Sequence, residues 1–222
     1  MKSILIFLVL FAASFAAPFL LVVDSSGSMD EYTNGSITKM EAAKSAAKNF
    51  VDGTYSEVGL VTFGNCDSSG DINSGGIYLV QDFTTDKTSL KSAIDTLEPY
   101  SSTPIADALI EAKNYILSSK GSGTIVLITD GEETCGGDPV YEAGYIYNNS
   151  IGTVHVVGFQ LGDYADQEAR EIASAGGGQY YAAGNVEELE SALTTISYGD
   201  NYSCCPMFAL IILPLLAFAI RR

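Results

Sequence analysis

Phe19-Leu20-Leu21-Val22-Val23-Asp24-Ser25-Ser26-Gly27-Ser28-Met29 is the stretch on which the reading of this chain turns. Five apolar residues in a row, rich in β-branched and aliphatic side chains, read as a strand covered on both faces. The run then breaks into four small polar or glycine residues led by a carboxylate. A second stretch repeats this layout: Thr124-Ile125-Val126-Leu127-Ile128-Thr129 is an apolar strand pattern, and Asp130-Gly131 ends it. Two buried strands that each finish in an aspartate define an end of a sheet where oxygen ligands collect.

Working outward, short apolar runs alternate with helical patterns. Further strands are expected at Glu57–Phe63, Ile77–Asp82, Thr153–Phe159 and Gln179–Ala182. Helices are expected at Thr38–Asp52, Lys87–Leu97, Pro104–Ser118, Pro139–Asn149, Tyr164–Ser174 and Val186–Ile196, with apolar residues three and four apart, as in Met40, Ala43, Ala47 and Val51. Such alternation argues for an α/β fold: a doubly wound, mostly parallel six-stranded sheet with helices on both faces. Only the Gly/Ser/Asp-rich residues 64–76 separate the second and third strands, so this pair is expected as an antiparallel hairpin, placing one strand on the sheet edge. Ligands of such sheets sit at the carboxyl ends of the strands, where strand order reverses. Asp24 and Asp130 follow the two strands that flank that reversal.

Asp24, Ser26 and Ser28 alternate along a turning chain, and Gly27 is expected to allow the bend. Thr103, in Ser101-Ser102-Thr103-Pro104, comes from another loop, with Pro104 expected at the first helical position. Asp130 completes a set of five oxygen donors. Hard divalent cations take oxygen ligands, and Mg²⁺ prefers six in an octahedron. Two carboxylates against one divalent ion leave a nearly neutral centre with positions for water, where a partner's carboxylate could bind. Asp and Ser after strands are also common turn formers, but here all three segments fall at the same end of expected elements.

Asp24-Ser25-Ser26-Gly27-Ser28-Met29, Ser102-Thr103-Pro104-Ile105-Ala106-Asp107-Ala108-Leu109 and Ile128-Thr129-Asp130-Gly131-Glu132-Glu133 together resemble a von Willebrand factor type A (vWA) domain. The resemblance covers nearly the whole body of the chain. It implies a Rossmann-like sheet with one antiparallel edge strand, and a complete metal-ion-dependent adhesion site on Asp24, Ser26, Ser28, Thr103 and Asp130. It also implies a divalent cation, with Mg²⁺ expected and Mn²⁺ or Ca²⁺ as alternatives. The function to expect is a metal-dependent adhesion or protein-binding module at the cell surface, capturing an Asp or Glu of a protein partner. The alternative is a structural or assembly component of an envelope complex, in which the metal only rigidifies the loops.

The two ends read as addressing segments. Residues 1–17 carry Lys2, an apolar run and small residues around Ala16, the pattern of a secretory signal. The domain is expected over 18–199, a linker over 200–206, and an apolar tail over 207–222 that ends in Arg221-Arg222. That tail is short of the about 20 residues of an upright span, so it reads either as a short anchor or as a processing signal; it resembles the sorting tails of bacterial surface proteins. Cys204 and Cys205 would then be points of tail processing or lipidation. Pairing Cys66 with Cys135 would tie two loops at one end of the sheet, although spacing alone does not fix connectivity.

All 27 acidic residues fall within 18–203, with eight of the 11 basic ones, so the body carries a charge of −19. That excludes nucleic acid as a partner and leaves membrane contact to the tail. No nucleophile elbow, P-loop or zinc-helix motif is present, and the single histidine, His155, lies inside a strand pattern, so catalysis is not expected. Glu132, Glu133, Asp138, Asp67 and Asp71 crowd the same rim. They read first as solvated loop acids and second as another cation site. Tyr32 and Tyr100 flank the loops and are candidates for a contact surface.

Overall fold

The computed structural model describes residues 17–66 and 76–202. The proposed leader, Asp67, Asp71 and the Cys204–Arg222 tail lie outside these. Among the described residues the strands are β1 (Phe19–Asp24), β2 (Val58–Phe63), β3 (Ile77–Thr84), β4 (Gly123–Thr129), β5 (Gly152–Phe159) and β6 (Gly177–Ala183). The helices are α1 (Lys39–Gly53), α2 (Lys87–Asp95), α3 (Ile105–Ser119), α4 (Pro139–Asn148), α5 (Asp163–Ala175) and α6 (Val186–Tyr202). The strands form one sheet in the order β3-β2-β1-β4-β5-β6. All pairs are parallel except β2 with β3, so the expected hairpin forms and β3 is the antiparallel edge.

Strand periodicity divides the core into two layers. In β1, Phe19, Leu21 and Val23 join α1, α2 and α6 on one face, whereas Leu20 and Val22 join α3, α4 and α5 on the other. In β4, Val126 and Ile128 point to the first layer, and Ile125 and Leu127 to the second. Both strands are wholly buried, as their unbroken apolar runs require. Phe19 and Phe50 meet edge-to-face at 5.1 Å, which locks α1 onto β1. The α1 start is a capping box: Thr38 accepts from the Glu41 amide at 3.1 Å, and Glu41 accepts from the Thr38 amide at 2.8 Å.

One local expectation needs correction. Pro104 precedes the helix rather than opening it, and α3 starts at Ile105. The reason is that its cap comes from elsewhere: the amide of Ala106 donates to Glu133 Oε2 at 2.8 Å. The turn at Gly27 does not use left-handed backbone, since its φ is not positive. Its role is close approach. The amide donates to the Ser101 carbonyl at 3.0 Å, and a Cβ there would lie 3.3 Å from that oxygen. Residues 27–30 wind into a 3₁₀ turn that sequence periodicity did not indicate. Among the described residues, no helix is long and apolar enough to cross a membrane.

Candidate metal site

β1 and β4 are neighbours at the centre of the sheet, and their connections leave in opposite directions, so their carboxyl ends form the crevice. Asp24 closes β1 and is fully buried. One of its oxygens accepts the Ser26 amide at 2.7 Å, and the other accepts the Thr129 hydroxyl at 2.6 Å. Thr129 in turn accepts from the Gly131 amide at 3.2 Å, which orients its proton toward Asp24. The 3₁₀ turn then brings Ser26 Oγ and Ser28 Oγ to 3.0 Å. Ser28 Oγ donates to Asp130 Oδ1 at 2.7 Å. Asp24, Ser26, Ser28 and Asp130 are therefore joined in one continuous polar network.

Thr103 reaches the same place from the loop before α3. Its amide donates to Thr134 Oγ1 at 2.8 Å, and its carbonyl accepts from the Thr134 amide at 3.1 Å. Its hydroxyl lies against the residue following Asp130: a Cβ on Gly131 would stand 3.7 Å from Thr103 Oγ1. Thr103 is buried. The loops are fastened to one another through backbone as well. Tyr100 donates to the Ser25 carbonyl at 2.6 Å, and Ser101 and Ser102 both donate to the Gly64 carbonyl at 2.9 Å. Cys66 and Cys135 are joined in a disulfide, which ties the loop after β2 to the loop after β4.

The electrostatics are unequal. Asp24 is pushed up to about 6, first by burial and then by the charge of Asp130, with the Thr129 and Ser26 hydrogen bonds pulling it partly back. Asp130 has a counter-ion: Lys39 Nζ lies 2.8 Å from its Oδ2, and 2.8 Å from Glu31 Oε2 as well. Burial alone would lower the Lys39 ammonium, but the bonds to Asp130 and Glu31 outweigh it and hold the group above its ordinary value. Lys39 holds Glu31 below the usual carboxylate range.

The residues that could hold a divalent cation are thus two carboxylates and three hydroxyls. Among the described residues no group of three or more His, Cys, Asp or Glu side chains is placed to hold a metal. Two of the rim acids are engaged as caps: Glu133 accepts from the amides of Ala106 and Cys135, and Asp138 accepts from the Tyr141 amide at 2.9 Å. Tyr32 and Tyr100 are both exposed beside the loops. His155 lies along β5, where its Nδ1 accepts the Gln179 amide at 3.1 Å.

Sequence reasoning missed Thr129, Lys39, Gly64 and the Glu133–Thr134 pair. Thr129 carried a signal, being the polar residue at the end of an apolar run. Lys39 carried another, since a cation in the first turn opposes the helix dipole.

A sequence profile of the von Willebrand factor type A domain matches residues 19–133. The uncharacterized protein YwmC of Bacillus subtilis (strain 168) is 34% identical over 185 residues, covering 78% of this chain and 80% of that protein. Among solved structures, BatB from Bacteroides thetaiotaomicron superposes with a TM-score of 0.67 at 21% identity, covering 83% of this chain and 98% of that one. The vWF domain of the type V pili tip protein Mfa5 from Porphyromonas gingivalis gives 0.66 at 16% identity, covering 84% and 95%. At those identities the two structures bear on the fold alone. By the profile match, which spans more than half of its residues, this chain belongs to the von Willebrand factor type A domain family.

Proposed function

We propose that the protein is a metal-dependent binding module displayed at the cell surface, in which Asp24, Ser26, Ser28, Thr103 and Asp130 hold a divalent cation of the Mg²⁺ type. The observation that carries this reading is the Asp24 carboxylate, fully buried, facing a second carboxylate and pushed up to about 6. A group so placed is destabilised when ionised and gains most from a cation beside it. The donor set suits a hard ion, since every member is oxygen.

The cation supplies a Lewis-acidic position that a partner's Asp or Glu can fill. The chain's residues do the rest. Ser26 and Ser28 add neutral oxygens, so among the five ligands only the two carboxylates carry charge. Thr129 and the Ser26 amide fix the Asp24 carboxylate plane. Tyr32 and Tyr100 offer an exposed aromatic rim to a protein surface. Turnover is not part of the proposal: the site serines bond to each other and to Asp130, and His155 is engaged with the backbone of β6. The sharing of this fold with a pilus tip protein fits surface display, as do the expected leader and tail. The alternative, an assembly component in which metal only rigidifies the loops, draws on the disulfide and the backbone bonds that already join those loops.

Thermal unfolding and calorimetric titration with Mg²⁺, Mn²⁺ and Ca²⁺ test the site, with ionic strength held constant by NaCl. A ligand of the folded state at a hundredfold excess over its Kd adds about 2.7 kcal/mol of stability. That gain is expected in the wild type and absent in Asp24→Ala. Thr103→Val keeps the backbone bonds to Thr134, so it should fold normally while binding metal about tenfold more weakly or worse. Adhesion predicts that chelator and Thr103→Val both abolish capture of an acidic protein partner. The assembly reading predicts that metal stabilises but Thr103→Val leaves association unchanged.

A further inference from the structure

Lys39 stands where a helix gains nothing from it. It is the first residue of α1, at the positive end of the helix dipole. Its side chain is only 9% exposed, and it forms an ion pair with the Asp130 side chain, which is 0% exposed. The other described ion pairs join side chains that are each partly solvent-exposed, such as Lys91 with Asp52 and Arg170 with Asp166. Among these ion pairs, that of Lys39 with Asp130 has a partner sealed inside the proposed site. Its second partner, Glu31, is 67% exposed, so water screens that contact. The Asp130 carboxylate is therefore divided: Oδ1 takes the Ser28 hydroxyl, and Oδ2 takes the ammonium.

Resting on the metal reading of the site, we infer that Lys39 is a positioning residue that sets the net charge of the metal centre and so its appetite for a partner carboxylate. Two carboxylates and one ammonium leave one net negative charge. A divalent cation converts that to one net positive charge. Without the ammonium, the same cation would be neutralised by Asp24 and Asp130, and an incoming carboxylate would meet a neutral centre. Lys39 weakens metal binding by like-charge repulsion, and in exchange the loaded site stays electrophilic. It also holds Asp130 by one oxygen, leaving the Ser28 side of that carboxylate toward the site.

The test compares wild type, Lys39→Gln and Lys39→Arg in the full-length protein, with Mn²⁺ as metal and acetate as the carboxylate probe. Glutamine keeps a donor for Asp130 and removes the charge; arginine keeps the charge. Mn²⁺ affinity is read by calorimetry, and acetate binding by displacement of Mn²⁺-bound water in proton relaxation. Lys39→Gln is expected to bind Mn²⁺ about tenfold more tightly or better, because a buried unit charge is poorly screened. It should bind acetate several-fold more weakly, while Lys39→Arg stays near wild type in both. Equal or weaker Mn²⁺ binding by Lys39→Gln, with normal binding by wild type, overturns the inference and leaves the metal reading intact. No Mn²⁺ binding by wild type overturns both. Should Lys39→Gln fail to fold without metal, Lys39→Met is compared by its metal-induced rise in Tm, and a rise no larger than that of wild type overturns the inference.

Discussion

Asp24 shows how a single residue can be stable in sequence terms and strained in place. An aspartate at a strand end is ordinarily half-solvated, with a pKa near 3.8, yet this one is wholly enclosed and pushed up to about 6. A raised carboxylate binds its proton more tightly in the folded than in the unfolded chain. In chelator, its contribution to stability is therefore full below about pH 4 and is lost as pH rises through about 6, a change of about 3 kcal/mol. Asp24→Asn should remove that dependence. Its oxygen can keep the Ser26 amide, and Thr129 can turn to donate to the Gly131 carbonyl, 3.1 Å away, and accept from the new amide. Urea unfolding in chelator between pH 4 and 7.5 should show the wild type losing stability relative to the variant. With metal the order should reverse at neutral pH, because the variant keeps only the Asp130 carboxylate while the wild type offers two charged ligands to the cation.

At the scale of elements, the site belongs to loops that contact one another through backbone. Gly64 is the junction. Its carbonyl accepts from Ser101 and Ser102, and a Cβ on it would lie 2.6 Å from the Ser25 carbonyl oxygen and 3.1 Å from Tyr100 Cβ. The first obstacle is backbone and cannot rotate away. Gly64→Ala should cost about 1–3 kcal/mol and move the Ser25 and Tyr100 segments apart. Calorimetry should then show weaker metal binding, although no ligand is altered. Metal binding equal to that of wild type would mean that the loops adjust independently. Glu133 does comparable work on the other side, capping α3 from the β4 loop, so Thr103 is held by two neighbouring anchors.

For the whole molecule, the disulfide and the charge matter most. Cys66 and Cys135 are 69 residues apart in sequence. Closing a loop of that length removes enough unfolded-state entropy to be worth about 4 kcal/mol. Replacing both cysteines by serine should lower the denaturant midpoint accordingly, while the sheet and its order persist through their own core. The body's −19 charge adds self-repulsion that any salt relieves. Sodium chloride should therefore raise the Tm of Asp24→Ala and wild type alike. Only the divalent increment beyond it, in wild type, reports the site.

Much of this was legible in the sequence, and for a physical reason. Covered strands need unbroken apolar runs, so β1 and β4 announced themselves, and Asp24 and Asp130 stood at their ends. Helices packed on one side need apolar residues three and four apart, so their positions could be read locally, as could the hairpin that makes β3 an edge. The five oxygen donors could be named because each sits within a few residues of such an element. What the sequence left open depends on pairs distant along the chain. The Lys39–Asp130 contact spans 91 residues, Thr129–Asp24 spans 105, and Glu133 reaches 27 residues back to cap α3. No local periodicity encodes such distances. They arise only when β1 and β4 become neighbours, because it is the sheet order that brings the ends of separate strands to one point.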